Sequence, residues 1–186
     1  MIRLRILRLF AALAVLGVTA FASAGAVAST SAPNVPPLTG LPAGKFLVIG
    51  DVAHPAILEV AALQNPSLTQ HTETVTFKAG NGTQQHTYVG PLLLDVLNQA
   101  GPLFDPTIKN DKLRHYVSVS ATDGYRALVA WGEIDPGFEN KEVLLATTED
   151  GRSLATDGPR LVVPGDISGG RYVSNVNRVF LEKPPL

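Results

Sequence analysis

The stretch VGPLLLDVLNQAG at residues 89–101 decides how this chain is read. Pro91 suits a first helical turn, where its missing N–H costs nothing, and Leu93, Val96, Leu97 and Ala100 recur on one face at helical spacing. Gly101 and Pro102 supply the stop. The result is one short amphipathic helix whose apolar stripe has to be buried. Its surroundings are strand-like. Residues 74–78 and 84–89 flank Ala79-Gly80-Asn81-Gly82, where Asn-Gly favours the positive φ of a tight hairpin. Residues 115–121 alternate, with Val117, Val119 and Ala121 on one face, and Asp123-Gly124 turns the chain into a strand over 125–131.

Working outward, short strands are expected at 46–49, 143–147, 152–155, 161–163 and 176–181, with a turn at Asp150-Gly151. Residues 55–64 place Ile57, Val60 and Ala61 at helical spacing before Asn65-Pro66, which predicts a second helix. About nine short strands and two helices make an α+β domain on a mixed sheet. Composition agrees, because Gly 17 and Pro 14 in 186 residues imply frequent turns rather than long helices. Hydrophobic residues at 45% against 17% charged exclude a disordered chain and a coiled coil.

The amino-terminal region reads as an address. Arg3, Arg5 and Arg8 precede an acid-free apolar run to about residue 28, and Ala22-Ser23-Ala24 and Ala26-Val27-Ala28 follow the Ala-x-Ala pattern of a cleavage site. Residues 1–28 are therefore expected to be a secretory signal peptide, and the protein to be periplasmic or extracellular. An uncleaved anchor is the alternative, since roughly 20 apolar residues span a bilayer. The small residues at the end of the run, and the Ser/Thr/Pro-rich sequence after it, favour cleavage, which leaves no membrane span. The arginines are not adjacent, so no twin-arginine signal is present. Residues 29–44 (STSAPNVPPLTGLPAG) read as a flexible leader, and 45–186 as the domain. Removal of 1–28 takes three arginines and no acids, leaving 12 basic and 16 acidic residues. With no Lys/Arg run left in that part, nucleic acid is excluded as a partner. Cys 0 rules out disulfides, a lipid-anchoring cysteine and all thiolate chemistry.

Chemistry-bearing motifs are sparse. His54, His71, His86 and His115 show no metal-ligand spacing, so no metal site is expected. His71 and His86 are the pair that the hairpin could bring together, with a surface or capping role the simpler reading. Neither a Gly-x-Ser-x-Gly elbow nor a phosphate loop is present. Residues 165–170 (GDISGG), beside Arg171, offer backbone N–H groups to an anion or are a plain surface loop. Glu149, Asp150 and Asp157 cluster near a turn, which suits acid/base work when buried and capping when exposed. Asn81-Gly82-Thr83 matches a glycosylation sequon but coincides with a turn that needs Asn-Gly. Trp131, the single tryptophan, is expected in the core.

The order of features is more specific than any one of them. Gly90-Pro91-Leu92-Leu93-Leu94-Asp95-Val96-Leu97 is followed by Asp123-Gly124-Tyr125, Val143-Leu144-Leu145-Ala146, Asp150-Gly151, Gly158-Pro159-Arg160-Leu161-Val162-Val163-Pro164-Gly165-Asp166 and Arg171-Tyr172-Val173. This series resembles the molybdopterin-binding domain of the sulfite oxidase family in a short, exported, stand-alone form. The resemblance covers most of residues 45–182 and implies a mixed α+β fold around a pterin dithiolene that carries molybdenum for oxygen-atom transfer. It further implies a cysteine thiolate ligand, a soft donor for a sulfur-bound metal, at about the position of Ala79. It implies anion contacts from Arg160, with Arg171 and Arg126 as further bases and Tyr125 as a further contact. Family enzymes commonly carry a His where Asp157 stands, and that carboxylate repels an anionic cofactor. The reading that follows is a binding or accessory protein without molybdenum catalysis, partnered by a small anionic ligand or an envelope protein, and with no cofactor expected. The alternative is a molybdopterin-dependent oxidoreductase that retains the pterin, through Arg160, Arg171 and Tyr125, without a protein thiolate.

Overall fold

A computed structural model of the protein describes residues 41–184. The expected signal peptide and most of the leader lie outside the described residues. Strand β1 (Lys45–Gly50) explains the centre of the fold: Phe46, Leu47, Val48 and Ile49 are all buried, as a strand covered on both faces requires. It pairs in parallel with β11 (Val176–Glu182) and antiparallel with β2 (Ala56–Glu59). Beyond β11 come β5 (Tyr116–Ala121) and β6 (Arg126–Ala130), both antiparallel, to complete a mixed five-stranded sheet in the order β2-β1-β11-β5-β6. The α+β expectation is met.

A second, four-stranded sheet is built on the hairpin of β3 (His71–Ala79) and β4 (Gly82–Gly90), extended by β8 (Thr148–Glu149) and β9 (Arg152–Ser153). Strands β7 (Leu144–Ala146) and β10 (Arg160–Val162) form a third, two-stranded sheet. Helix α1 (Leu93–Ala100) buries the anticipated stripe of Leu93, Val96, Leu97 and Ala100 in the main core, and Gly101 ends it with φ 71°. It starts later than Pro91, whose carbonyl instead accepts the Leu145 N–H at 3.0 Å. Gly90 has to be glycine, because a Cβ there would stand 2.6 Å from Cα of Ala146 where β4 crosses β7.

Two expectations are corrected. Residues 55–64 are not a helix: they form β2 and a 3₁₀ turn, Val60–Gln64. Ten residues between two proline-bounded breaks give few helical hydrogen bonds, whereas pairing along β1 satisfies the backbone and leaves Ile57 half exposed at the sheet edge. The strand expected to run to Trp131 stops at Ala130. Trp131 opens the four-residue helix α2 (Trp131–Ile134), and this is the second helix; its indole is buried, as anticipated.

Candidate functional site

The β3–β4 hairpin positions the site through its two-residue period. In its register Val75 faces His86, Phe77 faces Gln84 and Ala79 faces Gly82, so Val75, Phe77 and Ala79 share a face with Gln84, His86 and Tyr88. The opposite face carries Thr74, Thr76, Gln85 and Thr87, joined by side-chain bonds of 2.9 Å between the Thr74 and Thr87 hydroxyls and 3.2 Å from Gln85 to Thr76. The inner face packs with Leu144, Ala146, Val162 and Tyr172 into a small second core. His71 lies opposite Gly90, four pairs along from His86, so the hairpin does not join these two histidines.

The Gly-rich segment at 165–170 closes the site from the other side. It runs beside the β3 edge, with Lys78 donating its N–H to the Ile167 carbonyl at 2.9 Å and an isolated parallel bridge between Lys78 and Ser168. Gly169 lies on the Phe77 ring, since a Cβ there would approach Cδ2 to 2.6 Å. The Phe77 ring in turn stacks on Tyr172, with centroids 4.4 Å apart and planes inclined at 18°. Between hairpin, segment and Arg160 is a cavity of about 530 Å³, lined by Phe77, Lys78, Ala79, Gly80, Gln84, Arg160 and residues 168–170. Ala79 thus borders the cavity on the hairpin's inner face.

Arg160 forms the cavity's charged wall, and it is already engaged. Its Nη1 donates to both oxygens of Glu149, at 2.9 and 3.0 Å, and its guanidinium lies 5.4 Å from the Tyr88 ring centroid. The Tyr88 hydroxyl donates to the same carboxylate at 3.1 Å, and burial pushes that phenol well above its ordinary range. Two polar atoms next to this cluster, Nε of Arg160 and the Tyr172 hydroxyl, are shielded from solvent and without partners.

The other expected site residues are distributed differently. Arg171 is held by Asp166 at 2.8 and 2.7 Å and by Glu133 at 2.8 Å, hydrogen bonds that raise its pKa further and leave no free fork for a ligand. Tyr125 donates its hydroxyl to the Gly170 carbonyl at 2.5 Å, so it braces the segment that rims the cavity. Arg126 is not among the cavity-lining residues and belongs to the five-stranded sheet. Of the acidic trio, Glu149 and Asp150 flank the His86 ring, whose Nδ1 lies 3.7 Å from the first, and Asp157 stands apart. Glu149 holds Arg160, Asp150 accepts from the Thr87 N–H at 2.8 Å and lies 2.7 Å from the His86 ring, and Asp157 accepts from Arg152 at 2.8 Å. Asp150 and Asp157 are held below the usual carboxylate range by these bonds, Thr87 first for the one and Arg152 for the other. Tyr88 and Tyr172 carry no sequence mark beyond alternation in a strand and adjacency to Arg171, and sequence reasoning missed them.

Tested against a thiolate-ligated molybdenum pterin, this donor set does not fit. The chain has Cys 0, so the sulfur donor is absent, and both candidate arginines are neutralised by carboxylates. Among the described residues no cluster of three or more His, Asp or Glu is disposed to hold a metal ion, and no helix is long and apolar enough to cross a membrane.

The fold has a counterpart among solved structures. The sulfane dehydrogenase SoxCD from Paracoccus pantotrophus is similar over 75% of this chain, with a TM-score of 0.59 and 20% identity. At that identity the likeness is one of fold, and it spans 38% of that chain. No protein-family model matches the sequence, and no curated protein does.

Proposed function

We propose that the protein is an exported binding or accessory protein built on the sulfite-oxidase scaffold, with the molybdenum redox chemistry of that scaffold lost. The observation that carries this reading is Ala79 on the cavity wall in a chain without cysteine. The pairing of Arg160 with Glu149, and of Arg171 with Asp166 and Glu133, supports it: cations that would bind an anionic cofactor are held by the protein's own carboxylates. A cavity of about 530 Å³ is in the size range of small-molecule sites, and a small anionic ligand is its occupant in this reading, or an envelope protein at its rim. Metal analysis of protein purified from its native host tests the reading. Molybdenum far below one per chain is expected; a stoichiometric amount refutes it.

A second reading is favoured by the unpartnered Arg160 Nε and Tyr172 hydroxyl. In it the protein retains a pterin without a thiolate, and Arg160 supplies the principal contact. Arg160→Ala then abolishes co-purification of pterin fluorescence, and unchanged retention counts against it.

A further inference from the structure

The five-stranded sheet has two unlike faces. Val48, Val117, Val119, Ala127, Val129, Val179 and Leu181 point into the main core with α1. The alternate residues form the other face. There the register aligns Arg178 of β11 with Ser120 of β5, and Ser120 with Arg126 of β6, so the two arginines flank one serine in a row across three strands. Two strand spacings put their Cα atoms about 10 Å apart, a span that two arginine side chains close easily over the serine.

The arginines of this row differ from the other arginines among the described residues. Six arginines lie among the described residues, and four have a carboxylate partner: Arg114 with Asp111, Arg152 with Asp157, Arg160 with Glu149, and Arg171 with Asp166 and Glu133. Among the described residues Arg126 and Arg178 have none. The carboxylates on this face are used or distant, since Glu59 pairs with Lys45 at 3.0 Å and Glu182 stands opposite Tyr116, two rows from Ser120. Arg178 is also poorly satisfied. Its one side-chain bond is a long 3.4 Å contact from Nη2 to the Ser120 hydroxyl, and its Nε is shielded and partnerless. The Phe180 ring, 5.6 Å from the guanidinium carbon, fixes the group in place. In the next row the Ser118 hydroxyl is buried and likewise without a partner. Burial first, and then Arg126, hold the Arg178 pKa below its ordinary value against a smaller opposing pull from Glu182.

We propose that Arg126, Ser120 and Arg178 form a binding site for a small phosphate-type dianion, separate from the cavity beside Arg160. Two planar guanidinium forks and a hydroxyl match a tetrahedral oxyanion that carries two charges. Arg126 and Leu128 are exposed at the edge of this row while Ser120 beside them is buried, so Arg126 is the group that a ligand meets first.

Titration with inorganic phosphate at pH 8, against sodium chloride of matched ionic strength, tests this by calorimetry and by the melting temperature. Saturable binding and a rise in melting temperature with phosphate alone are expected. Arg126→Gln, an exposed change, is expected to weaken phosphate by about tenfold or more, the worth of one charged hydrogen bond. Arg178→Gln does the same in material whose circular dichroism matches the parent, while Arg152→Gln leaves binding unchanged. No saturable binding, or equal binding by Arg126→Gln and the parent, overturns the proposal. So does a loss produced equally by Arg152→Gln, which would mark a general charge effect.

Discussion

Nη1 of Arg160 lies 2.9 Å from one oxygen of Glu149 and 3.0 Å from the other, with both side chains less than one-fifth exposed. This pair decides what the cavity offers a ligand, because the carboxylate cancels the cation that the Gly158-Pro159-Arg160 segment delivers to its wall. Gly158 allows that delivery: with φ 104° and the Val176 carbonyl 3.0 Å from where a Cβ would stand, no other residue fits the turn well.

Glu149→Gln is therefore expected to release Arg160 at a cost. Loss of a part-buried charge-assisted pair should lower stability by about 1.5–3 kcal/mol, measured by urea denaturation. The same variant should bind small organic anions more tightly than the parent in a calorimetric screen. If its affinity is unchanged, Arg160 does not face the ligand.

Ala79→Cys tests the geometry of the missing sulfur. The position is half-buried at the end of β3 and borders open space, so the change should leave stability within about 0.5 kcal/mol. The new thiol, the only one in the chain, should react at once with a disulfide-exchange reagent in the folded state. Labelling only after denaturation would place Ala79 away from the cavity.

Leu97→Ala addresses the helix from which the sequence was read. Leu97 is fully buried within the main core, and truncation should cost about 2–5 kcal/mol through the cavity it leaves. A change within about 0.5 kcal/mol would mean that α1 does not pack this face inward.

Most of the fold was legible because its signals are local. The stripe of α1, the Asn81-Gly82 hairpin and the Asp150-Gly151 turn each specify backbone shape within a few residues, and Asp150 and Gly151 do take positive φ of 50° and 77°. Residues 55–64 misled because Ile57, Val60 and Ala61 fit a helical period that the edge of β1 overrides. The site was legible only in part. Arg160 was found through its Gly-Pro-Arg setting, but its partner Glu149 stands eleven residues away on another strand, and nothing in the spacing marks the pair. Likewise the stacking of Phe77 on Tyr172, and the alignment of Arg126 with Arg178, arise from strand pairing across long sequence separations.

Asp135 provides a pH test. Its carboxylate is nearly buried and accepts from Lys112 at 2.7 Å, from the Trp131 indole N–H at 2.8 Å and from the Gly137 N–H at 2.8 Å. Burial pushes its pKa up, but these three donors together outweigh it and hold the group below the usual carboxylate range. Glu133 is lowered in the same way, with burial outweighed by Arg171, the Ala130 N–H and Lys141. A depressed native pKa means that the unfolded chain takes up protons first as the pH falls. The stabilisation is thus complete above the unfolded carboxyl value of about 4 and is lost as the pH drops through the native one. Asp135→Asn should cost about 1–3 kcal/mol at pH 7 and shift the emission of Trp131, the single tryptophan. The gap between parent and variant, followed by denaturation from pH 7 to pH 2, should narrow below about pH 4. A gap that stays constant across that range would show that the Asp135 charge contributes nothing to folding.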